Sequence, residues 1–263
     1  MFAGIDIGSV STKACLLSQE GVILSYSIIS TGARPASTGS KALEQALESA
    51  GRKRGEIRCI VATGYGRVSL ADADKTVTEI SCHAKGAHFL DPATDLVIDI
   101  GGQDSKVIRL DREGSFRDFA MNDRCAAGTG RFLEVMARAL EVRLEEMGDL
   151  SLEGVPVSIS NMCTVFAESE VVSLVAREVE KERIIAGIHK SVAERTAALV
   201  NRVGLGKKVM LVGGVAKNRG LKAALEKALN IPLFVPEEPQ IVGALGAAIS
   251  AIEHSEGIGL NRV

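Results

Sequence analysis

The chain has 263 residues, 46% of them hydrophobic and 3% aromatic, with a formal net charge of −2. This length and apolar content suffice for one large domain or two small lobes. The nearly balanced charge gives no electrostatic reason to expect nucleic acid or an anionic membrane as a partner. The N-terminal residues lack the basic and apolar regions of a signal peptide, and the apolar stretch Ile241–Ile252 is too short to span a bilayer. We therefore expect a cytoplasmic protein.

Strand and helix patterns alternate along the chain. Short apolar runs bounded by turn residues predict strands, and longer runs with helical periodicity predict helices. The predicted strands are Phe2–Ile7, Lys13–Leu17, Val22–Ile28, Arg58–Ala62, Leu96–Ile100, Lys106–Leu110, Ser115–Phe119, Val157–Ile159, Val209–Val212 and Leu233–Val235. The predicted helices are Lys41–Ala50, Ile80–Phe89, Arg131–Leu140, Phe166–Arg177, Arg183–Val203, Arg219–Leu229 and Gln240–Ile252. This alternation predicts layered α/β lobes.

One sequence motif occurs twice. The tetrapeptide Ile-Asp-Ile-Gly at residues 5–8 recurs 93 residues later at residues 98–101, and eight of seventeen aligned positions from these two starts onward are identical. Self-similarity of this kind indicates a duplicated unit. We therefore predict two related lobes. The first lobe comprises residues 1–93 and is completed by a C-terminal helix within residues 236–263, and the second lobe comprises residues 94–235.

Each copy of the motif ends in a loop suited to bind phosphate. Glycine lets backbone N–H groups converge on an anion, and hydroxyl and ammonium groups add donors. The first loop offers Asp6, Gly8, Ser9, Ser11, Thr12 and Lys13. The second loop offers Asp99, Gly101, Gly102, Gln103 and Asp104. Two hairpin turns with solvated polar residues are the alternative, which the duplication disfavours.

The carboxylates and the glutamine of these loops suggest catalytic roles. Asp6, Asp99 and Asp104 are suited to hold Mg²⁺ through its water molecules. Gln103 is suited to orient an attacking water, as positioned glutamines do in other NTPases. We therefore predict these four residues as the catalytic set of an NTPase.

A third glycine motif lies between the strand 209–212 and the helix 219–229. Two glycines at such a place let a flat base approach the backbone closely. The chain has no GxxxxGK[ST] motif and no GxGxxG motif after a strand, which disfavours a P-loop enzyme and a Rossmann dinucleotide site. The residues predicted to contact the nucleoside are Gly213, Gly214, Ala216, Lys217 and Asn218.

The three glycine motifs resemble those of a known superfamily. IDIGSVSTK, VIDIGGQDSK and LVGGVAKN are similar, in this order, to the phosphate-1, phosphate-2 and adenosine loops of the actin/hexokinase/heat-shock-protein ATPases. The resemblance implies a duplicated ribonuclease H-like α/β fold whose two lobes hold the nucleotide in the cleft between them. It also implies ATP or ADP with Mg²⁺ as ligands.

Two of the five cysteines precede predicted helices. An odd number of cysteines without a CxxC pair argues against a disulfide framework and a zinc knuckle. At Cys125 and Cys163 a helix N-terminus would favour a thiolate and stabilise a bound iron–sulfur cluster. Because a four-iron cluster usually takes four cysteines, two per chain would require a symmetric dimer. Two unrelated buried cysteines are the alternative; we expect the remaining three, Cys15, Cys59 and Cys82, to be structural.

Further motifs resemble a narrower family. MNDRCAAGTGRFLEVMA, SNMCTVFAESEV, ATGYGR, TEISCHAKGA and AGIHKSVAERT are similar to segments of ATP-dependent activators of 2-hydroxyacyl-CoA dehydratases. These activators belong to the BadF/BadG/BcrA/BcrD ATPases, which include the ATPase subunits of benzoyl-CoA reductases. The resemblance covers essentially the whole chain and implies a homodimer that holds one [4Fe-4S] cluster through Cys125 and Cys163 of each subunit. It also implies ATP-driven transfer of a low-potential electron to a partner iron–sulfur dehydratase.

Several assignments stay open from the sequence. Gly130 and Glu134, at the start of the helix after Cys125, are further candidates for nucleotide contacts, with Glu134 directed at the ribose. We expect ferredoxin or flavodoxin as the electron donor. The partner enzyme could instead be a benzoyl-CoA reductase-type or double-cubane-cluster reductase, because the acyl-CoA would bind the partner and not this chain. A small-molecule kinase of the same superfamily and a non-catalytic interaction module are two further hypotheses for the function.

Overall fold

A computed structural model describes residues 1–122, 126–159 and 164–257 of the chain. These residues divide into two compact units. The first unit consists of Met1–Asp95, Leu110–Arg117 and the chain from Gln240 onward. The second unit consists of Leu96–Arg109 and Asp118–Pro239. Within the described residues, every helix is too short or too polar to cross a bilayer.

Ten strands, eight α-helices and three short 3₁₀ helices make up the regular structure of the described residues. The strands are β1 (Phe2–Ile7), β2 (Ser11–Leu17), β3 (Ile23–Ser30), β4 (Cys59–Thr63), β5 (Lys75–Thr76), β6 (Leu96–Ile100), β7 (Ser105–Leu110), β8 (Phe116–Asn122), β9 (Val209–Val212) and β10 (Leu233–Phe234). The helices are α1 (Pro35–Ala50), α2 (Glu79–Leu90), α3 (Gly130–Ala139), α4 (Met147–Glu153), α5 (Thr164–Ala176), α6 (Lys181–Val203), α7 (Arg219–Leu229) and α8 (Val242–Ser255).

The two sheets repeat one topology. The strand order is β3-β2-β1-β4-β5 in the first sheet and β8-β7-β6-β9-β10 in the second. In each sheet the central strand is antiparallel to the strand that follows it in sequence and parallel to a later one. The registers also correspond, since Asp6 pairs with Lys13 and Asp99 pairs with Lys106. The predicted duplicated α/β fold of the ribonuclease H-like type is confirmed.

Helices cover both faces of the first sheet. Every residue of β1 is buried, as expected for a central strand covered on both sides. Ile5 packs in a cluster with Leu43 of α1. On the other face, Phe2 packs in a cluster with Cys82 of α2 and Ala247 of α8. The closing helix therefore completes the core of the first unit.

Glycines bring α8 into backbone contact with its neighbours. A Cβ atom added to Gly4 of β1 would overlap the carbonyl oxygen of Ala244 in α8. A Cβ atom added to Gly246 of α8 would likewise overlap the carbonyl oxygen of Cys82 in α2. Because α8 touches both elements through their backbones, only glycine fits at these positions.

The second unit has one continuous core. It joins Ile98 of β6 and Leu211 of β9 to the apolar faces of α3, α6 and α7, represented by Phe132, Ile188 and Leu221. All five of these side chains are fully buried or nearly so. The strands that carry the second phosphate loop are therefore anchored by the largest apolar cluster of the described residues.

Several predicted elements differ from the observed ones. The strand predicted at Val157–Ile159 is wrong, because residues 155–159 lie outside any strand and the Val157 N–H donates to the Arg183 carbonyl of α6. Helix α1 begins at Pro35 and not at Lys41, since proline fits the first turn of a helix. Strand β5 and helix α4 were not predicted, because each is short and lacks a strong apolar pattern.

We predict that Gly246→Ala strongly destabilises the protein. The added methyl group would push α8 away from the backbone of α2, and overpacking of this kind costs about 1–3 kcal/mol. Urea unfolding should show a lower midpoint for this variant. The control is Gly55→Ala, where a Cβ atom would meet open space, and its midpoint should match the parent. Equal midpoints for the two variants would contradict the backbone contact.

Candidate functional site

The first candidate loop connects β1 to β2. Asp6, near the end of β1, is 2% exposed, and its Oδ2 atom lies 3.1 Å from the Nζ atom of Lys13 on β2. The other carboxylate oxygen, Oδ1, is buried and accepts no hydrogen bond from any described residue. A buried carboxylate oxygen without a donor is costly, so this atom is suited to a ligand that supplies one.

Two threonines hold the turn of the first loop. The N–H of Gly8 donates to the carbonyl of Ser11 at 3.1 Å, which closes the turn between the strands. Thr31 of the segment after β3 donates its hydroxyl to the carbonyl of Gly8 at 2.7 Å, and its hydroxyl lies 2.9 Å from that of Thr12. Thr12 is therefore buried and structural in the described residues, whereas Ser9 is exposed at the tip of the loop.

The second candidate loop connects β6 to β7 and repeats this charge pattern. Lys106 is 2% exposed, and its Nζ atom lies 3.3 Å from Asp99 Oδ2 and 2.7 Å from Asp104 Oδ2. The Gly101 N–H donates to the Asp104 carbonyl at 2.9 Å, which matches the turn of the first loop. Gln103 is exposed between them. The buried lysine neutralises carboxylates that would otherwise be very costly to bury.

The second loop is hydrogen-bonded to the start of α3. The N–H groups of Gly130 and Arg131 donate to the carbonyls of Gly101 and Gly102, at 2.9 and 2.8 Å. The Ser105 hydroxyl donates to the Gly128 carbonyl at 2.7 Å. Three hydrogen bonds therefore connect this loop and the start of β7 to the start of α3 and the residues before it.

A glycine on the neighbouring parallel strand faces each buried aspartate. Gly64 follows β4 and Gly213 follows β9, and both have a φ of +87°. A Cβ atom on Gly213 would lie 2.5 Å from Asp99 Oδ1, and one on Gly64 would overlap Asp6 Oδ1. The duplication therefore extends to a third strand of each sheet. Sequence reasoning missed Gly64 as a site residue, although the Thr63-Gly64 turn directly after a strand was the available signal.

The third glycine motif forms a short 3₁₀ helix between β9 and α7. This helix spans Gly214–Lys217, and Ala216 is buried in it. Lys217 pairs with Glu238 at 2.8 Å and is half exposed. The Asn218 side chain caps α7, because its Oδ1 atom accepts from the N–H of Leu221 at 2.9 Å. The segment thus presents exposed backbone at Gly214 between two anchored ends.

Three predicted site residues remain to be located, namely Glu134, Cys125 and Cys163. Glu134 on α3 pairs with Arg131 at 2.8 Å, so a ribose hydroxyl would have to share this carboxylate with a guanidinium. Both predicted cluster ligands, Cys125 and Cys163, lie outside the described residues. Helix α5 begins at Thr164, directly after Cys163 in the sequence.

The three cysteines predicted to be structural are buried. Cys15 and Cys82 have no exposed surface, and burial raises the pKa of each thiol to about 12. Burial likewise raises the pKa of Cys59. Because metal-binding cysteines act as thiolates, these neutral thiols are poor ligands for iron.

The donor set of each loop fits Mg²⁺ with a phosphate ligand. Carboxylate oxygens such as those of Asp6 and Asp99 suit this hard cation, and Lys13 supplies positive charge beside the first carboxylate. The exposed side chains of Ser9 and Gln103 add hydrogen-bonding groups for an anion. Such a set can bind a nucleotide and polarise its phosphates.

The two sheets and their loops define the duplicated fold of actin-like and hexokinase-like proteins. A ROK-family glucokinase from Streptomyces griseus has the same fold, with a TM-score of 0.60 over 95% of this chain and 98% of the glucokinase chain. Its sequence identity is 14%, so this likeness concerns the fold alone.

More similar relatives identify the family. The model of the BadF/BadG/BcrA/BcrD ATPase family matches residues 3–251, and the chain belongs to this family. An activator of lactoyl-CoA dehydratase from Anaerotignum propionicum is 49% identical over 96% of this chain and 98% of its own length. The solved activator of the 2-hydroxyisocaproyl-CoA dehydratase from Clostridium difficile, with bound ADPNP, is 46% identical and has a TM-score of 0.93, over 98% of this chain and 97% of its own.

We predict that Lys106→Met destabilises the protein by about 3–5 kcal/mol, because it removes a buried cation that pairs with the Asp99 carboxylate. The control is Arg54→Met, which breaks an exposed pair with Asp72 and should cost about 1 kcal/mol or less. Chemical denaturation of both variants at pH 7 measures the difference. A cost for Lys106→Met as small as that of the control would show that the buried pair is not required.

Proposed function

We propose that this protein is an ATP-hydrolysing activator that delivers a low-potential electron to a 2-hydroxyacyl-CoA dehydratase. The observation that carries the proposal is the pair of Asp–Lys loops in a chain of the BadF/BadG/BcrA/BcrD ATPase family. Relatives of nearly equal length, 46–49% identical, are activators of such dehydratases. A ferredoxin or flavodoxin is the proposed electron donor.

The proposed nucleotide contacts follow the loop chemistry. Phosphate oxygens accept hydrogen bonds from the first loop and from the second loop, and Gln103 orients the attacking water. The nucleoside lies on the Gly213–Asn218 segment, and Glu134 contacts the ribose. Of the residues predicted to bind phosphate, the proposed donors are Ser9, Ser11, Lys13, Gly102 and Gln103, because the N–H groups of Gly8 and Gly101 and the hydroxyl of Thr12 are already bonded within the protein.

Bound Mg²⁺ would neutralise phosphate charge and polarise the γ-phosphate for attack by water. Asp6, Asp99 and Asp104 are the proposed residues that hold its water shell. The buried Oδ1 atom of Asp6 supports this role, because it accepts no hydrogen bond from the described residues. Lys13 pairs with Asp6, and Lys106 pairs with both Asp99 and Asp104.

We propose Cys125 and Cys163 as the ligands of one [4Fe-4S] cluster shared by a homodimer. Such a cluster carries a single electron, and thiolate sulfur is its usual ligand. With Cys15, Cys59 and Cys82 buried as neutral thiols, two cysteines per chain remain, and a two-fold axis supplies the second pair.

The surface of α5 supports a second copy as partner. Four large apolar residues of this helix are exposed, although an outer helix face is ordinarily polar. They are Val165, Phe166, Val172 and Val175. Exposed apolar side chains in this number favour an interaction surface, and they lie on the helix that begins directly after Cys163.

The proposed coupling runs from the second loop to α3. Gly101 and Gly102 accept hydrogen bonds from the first turn of α3, and Ser105 donates to Gly128. Gly128 is three residues after Cys125 in the sequence. A change of the loop on ATP binding or hydrolysis would therefore be transmitted to the segment that carries this cysteine, which is a hinge-type switch.

We expect Asp99→Asn to lower ATP turnover by about 100-fold or more, because a carboxylate that stabilises charge at the phosphates is lost. The control is Asp149→Asn, since Asp149 is exposed and pairs loosely with Arg219 at 3.6 Å. Phosphate release by the purified protein measures both variants. Parent-like turnover in Asp99→Asn would exclude its catalytic role.

We expect Cys125→Ser and Cys163→Ser each to lose the iron–sulfur absorbance and most bound iron after anaerobic purification. Cys59→Ser is the control and should keep about two irons per chain, the share of one four-iron cluster in a dimer. Iron analysis, EPR and size-exclusion chromatography read out the cluster and the dimer. Full iron content in the Cys125 and Cys163 variants would contradict the cluster assignment.

A further inference from the structure

Three helices of the second unit meet at a continuous chain of hydrogen bonds. His189 of α6 lies at its centre, with its Nδ1 atom 2.8 Å from the Ser151 hydroxyl of α4. Its Nε2 atom lies 3.2 Å from the Nδ2 atom of Asn218, the residue that precedes α7. The Ser151 hydroxyl in turn donates to the Gly148 carbonyl at 3.0 Å. Asn218 is also the last residue of the proposed nucleoside-binding segment.

The partners at both ends set the direction of every bond. Because the Leu221 N–H donates to Asn218 Oδ1, the Asn218 amide nitrogen faces His189 as a donor. His189 Nε2 must therefore accept, and its proton is on Nδ1. This proton is donated to Ser151 Oγ, whose own hydrogen is directed to Gly148. A single tautomer of His189 and a single amide orientation of Asn218 satisfy all four bonds.

The hydrogen bonds around His189 are buried and closely packed. His189 is 1% exposed and Ser151 is 8% exposed, so water does not compete for these bonds. A Cβ atom on Gly220 of α7 would overlap the Ser151 hydroxyl and lie 3.1 Å from His189 Nδ1. Burial lowers the pKa of His189 to about 4, so the ring is neutral at pH 7. The neutral ring is the form that can both accept and donate.

We propose that His189 is a positioning residue for nucleotide binding. It holds the Asn218 side chain, and through it the Gly213–Asn218 segment, in the conformation that receives the nucleoside of ATP. This inference rests on the proposed function, since it assigns the segment to the nucleotide. Fixing a loop before the ligand arrives improves affinity by lowering the ordering cost of binding. His189 itself does not touch ATP.

The first test is the tautomer of His189 in the parent protein. Nitrogen-15 NMR of histidine-labelled protein at pH 7 should show Nδ1 protonated and Nε2 unprotonated, with the signal assigned by its loss in His189→Gln. Saturating MgADP should leave this tautomer unchanged, since the chain is formed before the nucleotide binds. A proton on Nε2, or on both nitrogens, would overturn the proposal irrespective of how any variant folds.

The second test separates nucleotide affinity from catalysis. His189→Leu keeps the bulk but removes both bonds, and the KM for ATP should rise about tenfold with kcat within about twofold. His189→Gln offers one acceptor and one donor on its amide and should recover most of the affinity. Thr196→Val is the matched control on the same helix. It removes a buried hydroxyl that, among the described residues, bonds to the Val192 carbonyl of the same helix, and it should leave KM unchanged.

The outcomes distinguish this inference from the proposed function. An unchanged KM in a folded, active His189→Leu variant would overturn the positioning role and leave the ATPase assignment intact. A lower kcat at constant KM would also overturn it, because the residue would then act on the chemical step. If the parent neither binds nor hydrolyses ATP, both the proposed function and this inference are wrong.

Discussion

A buried aspartate at the end of each central strand is the constraint on which the rest of the structure depends. Burying an ionised carboxylate is very unfavourable unless a partner charge lies beside it. The antiparallel neighbour provides that partner in both sheets, as Lys13 for Asp6 and as Lys106 for Asp99. The parallel neighbour must then leave space, which explains glycine at the two equivalent positions 64 and 213. The same aspartate, lysine and glycine arrangement therefore occurs once in each sheet.

The two copies of this unit differ in the elements to which they are hydrogen-bonded. In the first unit, the loop is held by Thr31, whose hydroxyl donates to the Gly8 carbonyl. In the second unit, the loop accepts hydrogen bonds from the start of α3. The Asn218 side chain of the same unit is hydrogen-bonded to His189. The second unit therefore has two hydrogen-bonded routes from proposed nucleotide contacts into its helices. The first loop is also connected to a helix, because the Thr38 hydroxyl of α1 donates to the Thr31 carbonyl at 2.8 Å.

The sequence predicted the fold well where local pattern and long-range packing agree. The strands around both Ile-Asp-Ile-Gly motifs were predicted because alternation, turn residues and the repeat all indicated the same structure. A strand was predicted at Val157 because the residues around it in the sequence are apolar. Its N–H instead donates to the Arg183 carbonyl of α6, and not to a neighbouring strand. Helix α4 was missed because Met147–Glu153 has few apolar residues, and its position is set by Ser151 and Gly148 packing against α6 and α7. Such contacts join residues far apart in the chain, so no local pattern contains them.

The sequence by itself determined the duplication, the α/β class and the residue types available for binding phosphate, because strand periodicity and glycine turns are local properties of the chain. The tertiary structure alone decided which groups meet. It paired Lys106 with both Asp99 and Asp104, set Gly64 against Asp6, and joined His189 to Asn218 across two helices. Each of these contacts depends on the burial of a charge or a polar group. The cost of burial can be assessed only when all neighbours of that group in space are known.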